Sequence, residues 1–243
     1  MVTQAKAAEL RHAQAGLLTL LSRDLAAFFA SLDLDKPERA RDALLEYLPL
    51  LVAQYGEAGA AAAADWFDEV RAEERVPGRF RAEAAEPVEP EIVEASVRYS
   101  AGHLFTAAPG LALPSLQSAA SKQVLLPARQ TIVRATGRDP RASGWGRLTR
   151  SGACDFCRFL AQRGAVYKEA TAHFASHGDC NCAAVPSWDQ DAPEVDVDAY
   201  VASQRMESVR RRAAAGDAAA ARQLEEHTAR VRDYIDAFIA VDD

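Results

Sequence analysis

The sequence predicts a mainly α-helical chain that carries one small α+β module. Three observations predict it. Apolar residues recur at helical intervals over most of the chain. Alanine runs such as "AGAAAAADW" and "RRRAAAGDAAAARQ" favour helix on both sides of the middle. All four cysteines stand in two short stretches, "CDFC" and "HGDCNC", where the character shifts to glycines and short apolar runs.

Residues 5–32 read as the first helix, because Leu10, Leu17, Leu21, Leu25, Phe28 and Leu32 form one apolar stripe. "LDLDKPER" breaks it: Asp35 suits a cap and Pro37 the first turn of the next helix. The second helix carries Leu44, Leu45, Leu48, Leu51, Val52 and Tyr55, with Pro49 a candidate kink. Gly56 and Gly59 predict its stop, and a third helix runs through Trp66, Phe67 and Val70. "RVPGRFRAEAAEPVEPE" has three prolines and many acids and reads as an exposed linker, about residues 76–90. Helical pattern resumes over 91–106 with Ile92, Val93, Val97, Tyr99 and Leu104. "APGLALPS" turns the chain into a helix over 115–136, where Pro127 is a second candidate kink.

From "DPRASGWGRLTRSGACDFC" onward the expectation changes. "WGRLTR" predicts a strand, "FCRFLAQRG" a short helix ended by Gly164, and "AVYKE" and "CAAVPSW" further strands. The tail, with Val209, Leu224, Val231, Tyr234, Ile235 and Phe238, is helical and divided at Gly216 and Asp217. This gives a helical region over 1–140, a Cys/His module over 141–193 and a helical tail over 194–243.

The cysteines carry the chemistry. No apolar run approaches the roughly 20 residues of a membrane span, and the N-terminus lacks a signal-peptide pattern. A chain made in cytoplasm keeps its thiols reduced, so clustered cysteines favour metal or redox chemistry over structural disulfides. Cys154 and Cys157 aim two thiolates at one point, and His177, Cys180 and Cys182 offer a second group. Five candidates therefore compete for the four places of a tetrahedral zinc ion. Cys154 and Cys157 are the firmest, and two of the other three complete the set. His173 lies one helical turn before His177, outside the tight group. Four protein ligands leave no open position, so the zinc is expected to be structural. Ordinary buried cysteines and a redox C-x-x-C pair are the alternatives.

Net charge is −7, which argues against a general nucleic-acid binder. The stretch from Lys122 to Lys168 nevertheless holds ten bases against Asp139 and Asp155, a local +8 that leaves −15 elsewhere. Arg134, Arg138 and Arg141 within it are candidate contacts for DNA or an acidic protein surface, against the plainer reading of a solvated face. "DWFDEV", with Asp65, Asp68 and Glu69, reads as a solvated acidic face, and His103 as a packed or surface histidine. No nucleophile elbow, zinc-protease helix, phosphate loop or dinucleotide fingerprint is present, and the chain is expected not to be an enzyme.

The stretch "CDFCRFLAQRGAVYKEATAHFASHGDCNCAAVP" resembles the MuF-like minor capsid proteins of tailed phages. The shared positions are Cys154, Cys157, Arg163, Gly164, Val166, Tyr167, His177, Cys180 and Cys182. Asp179 stands where members of that family often carry a second histidine. The resemblance implies a minor head protein of the virion, placed inside the head at the portal vertex. It would act in head morphogenesis and in DNA packaging or delivery. The portal protein is the implied partner, the major capsid protein a further one, and packaged DNA a contact through the arginines above. A capsid maturation protease, a label some relatives carry, and a zinc-dependent nucleic-acid binder are the competing functions.

Overall fold

A computed structural model describes residues 2, 4–149, 155–162, 182–190, 209, 211–226 and 229. The chain divides into two compact units, Met1–Pro193 and Glu194–Asp243. The first holds helices α1 (Gln4–Ala30), α2 (Pro37–Glu73), α3 (Pro90–Ser100) and α4 (Ala112–Arg138), with two 3₁₀ turns between α3 and α4. Strand β1 (Gly144–Leu148), helix α5 (Asp155–Gln162) and strand β2 (Ala183–Ser187) follow. In the second unit residues 211–214 and 218–226 are helical, and Gly216, at φ 90°, breaks them as expected. The expected strand in "AVYKE" and the tail residues Val231, Tyr234, Ile235 and Phe238 lie outside the described residues. Among the described residues no helix is long and apolar enough to cross a membrane.

The core of the first unit is made by α1 to α4. Leu21, Leu25, Leu44, Leu48, Val52, Val93, Val97, Leu116 and Val124 are buried in it. The stripe predicted on α1 is buried at Leu10, Leu21 and Leu25, with Phe29 rather than Phe28 as its inward ring. Phe28 stacks instead on Tyr47 of α2, ring centroids 3.8 Å apart. Tyr55 donates to Asp24 at 2.6 Å and Trp66 Nε1 donates to the Lys6 carbonyl at 3.0 Å, so α2 is tied to α1 at two levels.

Three expectations are corrected. Lys36, not Asp35, takes the cap position before Pro37. Gly56 and Gly59 do not stop a helix: α2 runs unbroken for 37 residues with Pro49 inside it. A glycine costs a helix about 1 kcal/mol relative to alanine. Here that cost is offset by close packing of α2 on α4. A Cβ at Gly56 would lie 3.4 Å from Pro127 Cγ, and one at Gly59 would lie 3.7 Å from the Val124 carbonyl oxygen and 3.8 Å from Ala128 Cβ. α2 ends at Glu73, and Arg75, at φ 52°, turns the chain away just beyond it.

The third correction is the expected linker. Residues 76–89 form neither helix nor strand, but they are strapped onto α2 and α4, with Ala82 and Ala85 buried. The Ala82 amide donates to Asp68 Oδ1 at 2.9 Å, and the Ala85 amide donates to Thr131 Oγ1 at 2.9 Å. Arg71 binds the start of the strap by donating to the carbonyls of Val76 at 3.3 Å, Pro77 at 3.1 Å and Gly78 at 2.9 Å. Its Nε also donates to Asp139 Oδ2 at 2.9 Å, in an ion pair whose side chains are 8% and 0% exposed. Trp188 Nε1 and the Arg141 amide donate to the same carboxylate at 2.9 and 3.0 Å. Phe67 packs between Phe80 and Trp188, with centroids 5.8 and 5.5 Å away.

Burial is the largest single influence on Asp139 and pushes its pKa up. It is outweighed by the hydrogen bonds from Arg71, Trp188 and the Arg141 amide and by the Arg71 charge, so the carboxyl titrates below its ordinary 3.8. A carboxyl depressed in the native state adds stability in full above its unfolded pKa. That contribution is lost as pH falls through the native value. Asp139→Asn is therefore expected to destabilise by about 3 kcal/mol or more at pH 7, because the Arg71 charge stays buried without its counter-ion. Urea unfolding at pH 7 and pH 3 checks both parts: the penalty should shrink at the lower pH. A second expectation concerns the α2–α4 contact. Gly59→Ala should raise Tm by about 1–4 °C, since its Cβ meets only ordinary contacts. Gly59→Leu should cost about 1–3 kcal/mol through overpacking.

Candidate metal centre

β1 and β2 form a two-stranded antiparallel hairpin in the register Gly144↔Ser187, Trp145↔Pro186, Gly146↔Val185, Arg147↔Ala184 and Leu148↔Ala183. Two of the three expected strands and the expected short helix α5 are present. Ser143 locks the far end of the hairpin: its amide and its hydroxyl donate to the Ser187 carbonyl at 2.8 and 3.0 Å. β2 is buried along its whole length, since the hairpin packs on α4 and also meets α1 and α5. Pro186 is tolerated because a two-stranded sheet leaves each strand an edge that needs no ladder donor. Arg11 of α1 donates to the carbonyl of Thr149, just beyond β1.

Two of the five metal candidates are described. Cys182 immediately precedes β2 and is 3% exposed; Cys157 lies in the first turn of α5 and is 1% exposed. Leu148↔Ala183 is the last pair of the ladder, so Cys182 stands at the end of the hairpin where the chain leaves β1. Cys157 comes to the same end, because Arg147 Nη1 donates to its Sγ at 3.7 Å. Cys154, His177 and Cys180, together with His173, lie outside the described residues. Among the described residues no three His, Cys, Asp or Glu side chains gather as a metal site.

Two buried arginines serve this end of the hairpin. Arg129 on α4 is 1% exposed, and its Nε donates to the Cys182 carbonyl at 3.2 Å. Arg147 is 2% exposed and shares the β1 face with buried Trp145. Of the expected donor set, only Cys157 and Cys182 are placed among the described residues. Cys157 Sγ is buried in the first turn of α5 and accepts from the guanidinium of Arg147.

Sequence reasoning counted Arg129 and Arg147 within a basic stretch and missed their burial. A signal existed: Leu125, Arg129, Ile132 and Thr136 share one helical stripe, and Trp145 and Arg147 alternate. The described remainder of that stretch, Lys122, Arg134, Arg138, Arg141 and Arg158, is exposed. Arg138 pairs with Glu83 on the strap at 2.5 Å. Asp68 of "DWFDEV" caps a strap amide, while Asp65 and Glu69 are exposed and His103 is half-buried in a 3₁₀ turn. A groove of about 640 Å³ between α3 and α4 is lined by Ile92, Tyr99, Lys122 and serines, and no acid, histidine or cysteine lines it.

Comparison with known proteins gives one family. No curated protein matches, and no solved structure matches. The VG15 protein family matches residues 1–205, a span that includes α1 to α5, the hairpin and all five Cys/His candidates. With most of its length inside that match, the chain belongs to the VG15 protein family and is a viral protein.

Proposed function

We propose that the chain is a structural minor capsid protein of a tailed phage, MuF-like, working at the portal vertex inside the head. Its task is head morphogenesis and DNA packaging or delivery. A structural zinc ion, held by four of Cys154, Cys157, His177, Cys180 and Cys182, closes the small α+β module. One observation carries this reading: the hairpin that bears Cys182 is locked to the helical body from several sides. Arg129 fixes it to α4, Arg11 to α1, and Asp139 with Trp188 fixes it to α2 and the strap. Such a module is a rigid fitting and suits an adaptor between larger partners. The match over 1–205 supports the reading from a second side, since it takes in the helical body and the module together.

The exposed arginines refine the expected DNA contact. Arg138 is engaged by Glu83, so Arg134 and Arg141 are the better placed of the three. Portal protein is the first partner, the major capsid protein the second.

Elemental analysis of the purified chain is expected to find equimolar zinc. Stripping it with a strong chelator should lower Tm by about 5–10 °C. Protein without bound zinc, or with stability indifferent to the chelator, goes against the metal. Mapping the chain in assembled heads tests the rest: density or cross-links at the portal vertex are expected. Specific cleavage of coat or scaffold by the purified chain would instead favour the maturation protease.

A further inference from the structure

The groove between α3 and α4 turns apolar surface toward solvent. Its two walls run antiparallel. Near the start of α3, Gln123 of α4 donates to the Ile92 carbonyl at 3.3 Å and to Ser96 Oγ at 2.9 Å. At the end of α3, Ser115 Oγ donates to Ser100 Oγ at 2.9 Å. These bonds preform the walls, which lowers the cost of binding there. Ala95 and Ser96 on one wall and Ser118 and Ala119 on the other line the groove with small side chains. Ile92 and Tyr99 also line it, 54% and 82% exposed. They stand two turns apart on α3, about 10 Å along its axis. An exposed tyrosine beside a preformed apolar groove is the kind of residue that anchors protein interfaces.

Two features select the occupant. Both walls are helices whose backbone groups bond within themselves, so an extended segment would find no ladder partner between them. A helix brings its backbone bonds with it, and small residues at the contact let its side chains seat between α3 and α4. The second feature is charge. Lys122 is exposed, is the one charged side chain lining the groove, and makes no ion pair among the described residues. It adjoins Gln123 and so stands at the Ile92 end. Arg98 of α3, outside that lining, is matched by Glu94 at 2.9 Å. A second copy laid groove on groove would bring another Lys122 and no acid, because no acid lines the groove.

We propose that the α3–α4 groove is a docking site for an amphipathic helix of a different protein. That helix sets apolar residues at i, i+3 or i+4, and i+7 against Ile92, Tyr99 and the small side chains, and an aspartate or glutamate against Lys122. The inference goes beyond the role given under Proposed function and depends neither on the metal nor on the portal.

The test places photo-reactive benzoylphenylalanine at position 99 of the full-length chain, produced in infected host cells, and sequences the cross-linked segment by mass spectrometry. The same replacement at Leu50 of α2, 72% exposed and outside the groove, is the control. Both positions are exposed, so the fold tolerates the change. Position 99 is expected to capture a segment of another protein with the stated apolar spacing and an acid within a turn of its end, and position 50 is not. Lys122→Glu should lower the yield about 5-fold, and changing the partner's acid to lysine should restore it. Ala119→Trp, which fills the groove, should remove the cross-link. Capture of a second copy of this chain, of a segment without that spacing or acid, of nucleic acid or lipid, or of nothing overturns the proposal. So does a yield indifferent to Lys122→Glu and Ala119→Trp. None of these outcomes touches the zinc content of the chain or its place in the head, which are measured separately.

Discussion

The buried pair of Arg71 and Asp139 is the constraint on which the first unit depends. Arg71 lies in the last turn of α2 and Asp139 caps the end of α4, so the pair joins the two helices that make the main packing contact. Each partner then reaches further. Arg71 takes three carbonyls of the strap, and Asp139 takes the Trp188 indole beyond β2. Removing one charge leaves the other dry and unmatched, so the pair is hard to dismantle piecemeal even though a buried ion pair adds little net stability over apolar packing. Its contribution is geometric. It ties the start of β1 and the end of β2, through the Arg141 amide and the Trp188 indole, to α2 and α4.

The same device recurs. Arg71, Arg129 and Arg147 are all nearly fully buried, and Arg71 and Arg129 each join parts of the chain far apart in sequence. Their planar, multi-donor heads suit this work better than lysine would. A local charge of +8 read from sequence therefore overstates the positive surface of the described residues, because two of its arginines point inward and a third is matched by Glu83. Asp139, one of only two acids in that stretch, is likewise internal.

Periodicity made the helices legible. The stripes of α1 and α2 follow from leucine spacing alone, and the hairpin strands and α5 from short apolar runs set between glycines. What was hidden depends on distant partners. Gly56 and Gly59 look like punctuation until Pro127 and Ala128, about 70 residues away, are packed against them. The strap has linker composition, and the groups that hold it, Asp68, Arg71 and Thr131, lie outside it. The ligand spacing is a reading of the sequence; of its five residues the structure describes Cys157 and Cys182, both at one end of the hairpin. The inward turn of Arg129 and Arg147 was written only as faint alternation that a charge count overrides.

These features bear on how the module could act. Small residues along α2 let α4 approach closely, and α4 carries Arg129 to Cys182 and Asp139 to Arg71. α2, α4, the strap and the hairpin thus share contacts that cannot be altered singly, because packed interiors transmit small displacements instead of absorbing them. A catalytic centre that must open, admit substrate and close draws on weakly held segments. The hairpin end has the opposite character: buried strands, buried guanidiniums and carbonyls taken up as acceptors. On the proposed reading, a zinc ion there would extend the same rigidity into the Cys/His module and hold its outer surface at a fixed place relative to α1–α4. That is a requirement for joining two large assemblies in a set orientation.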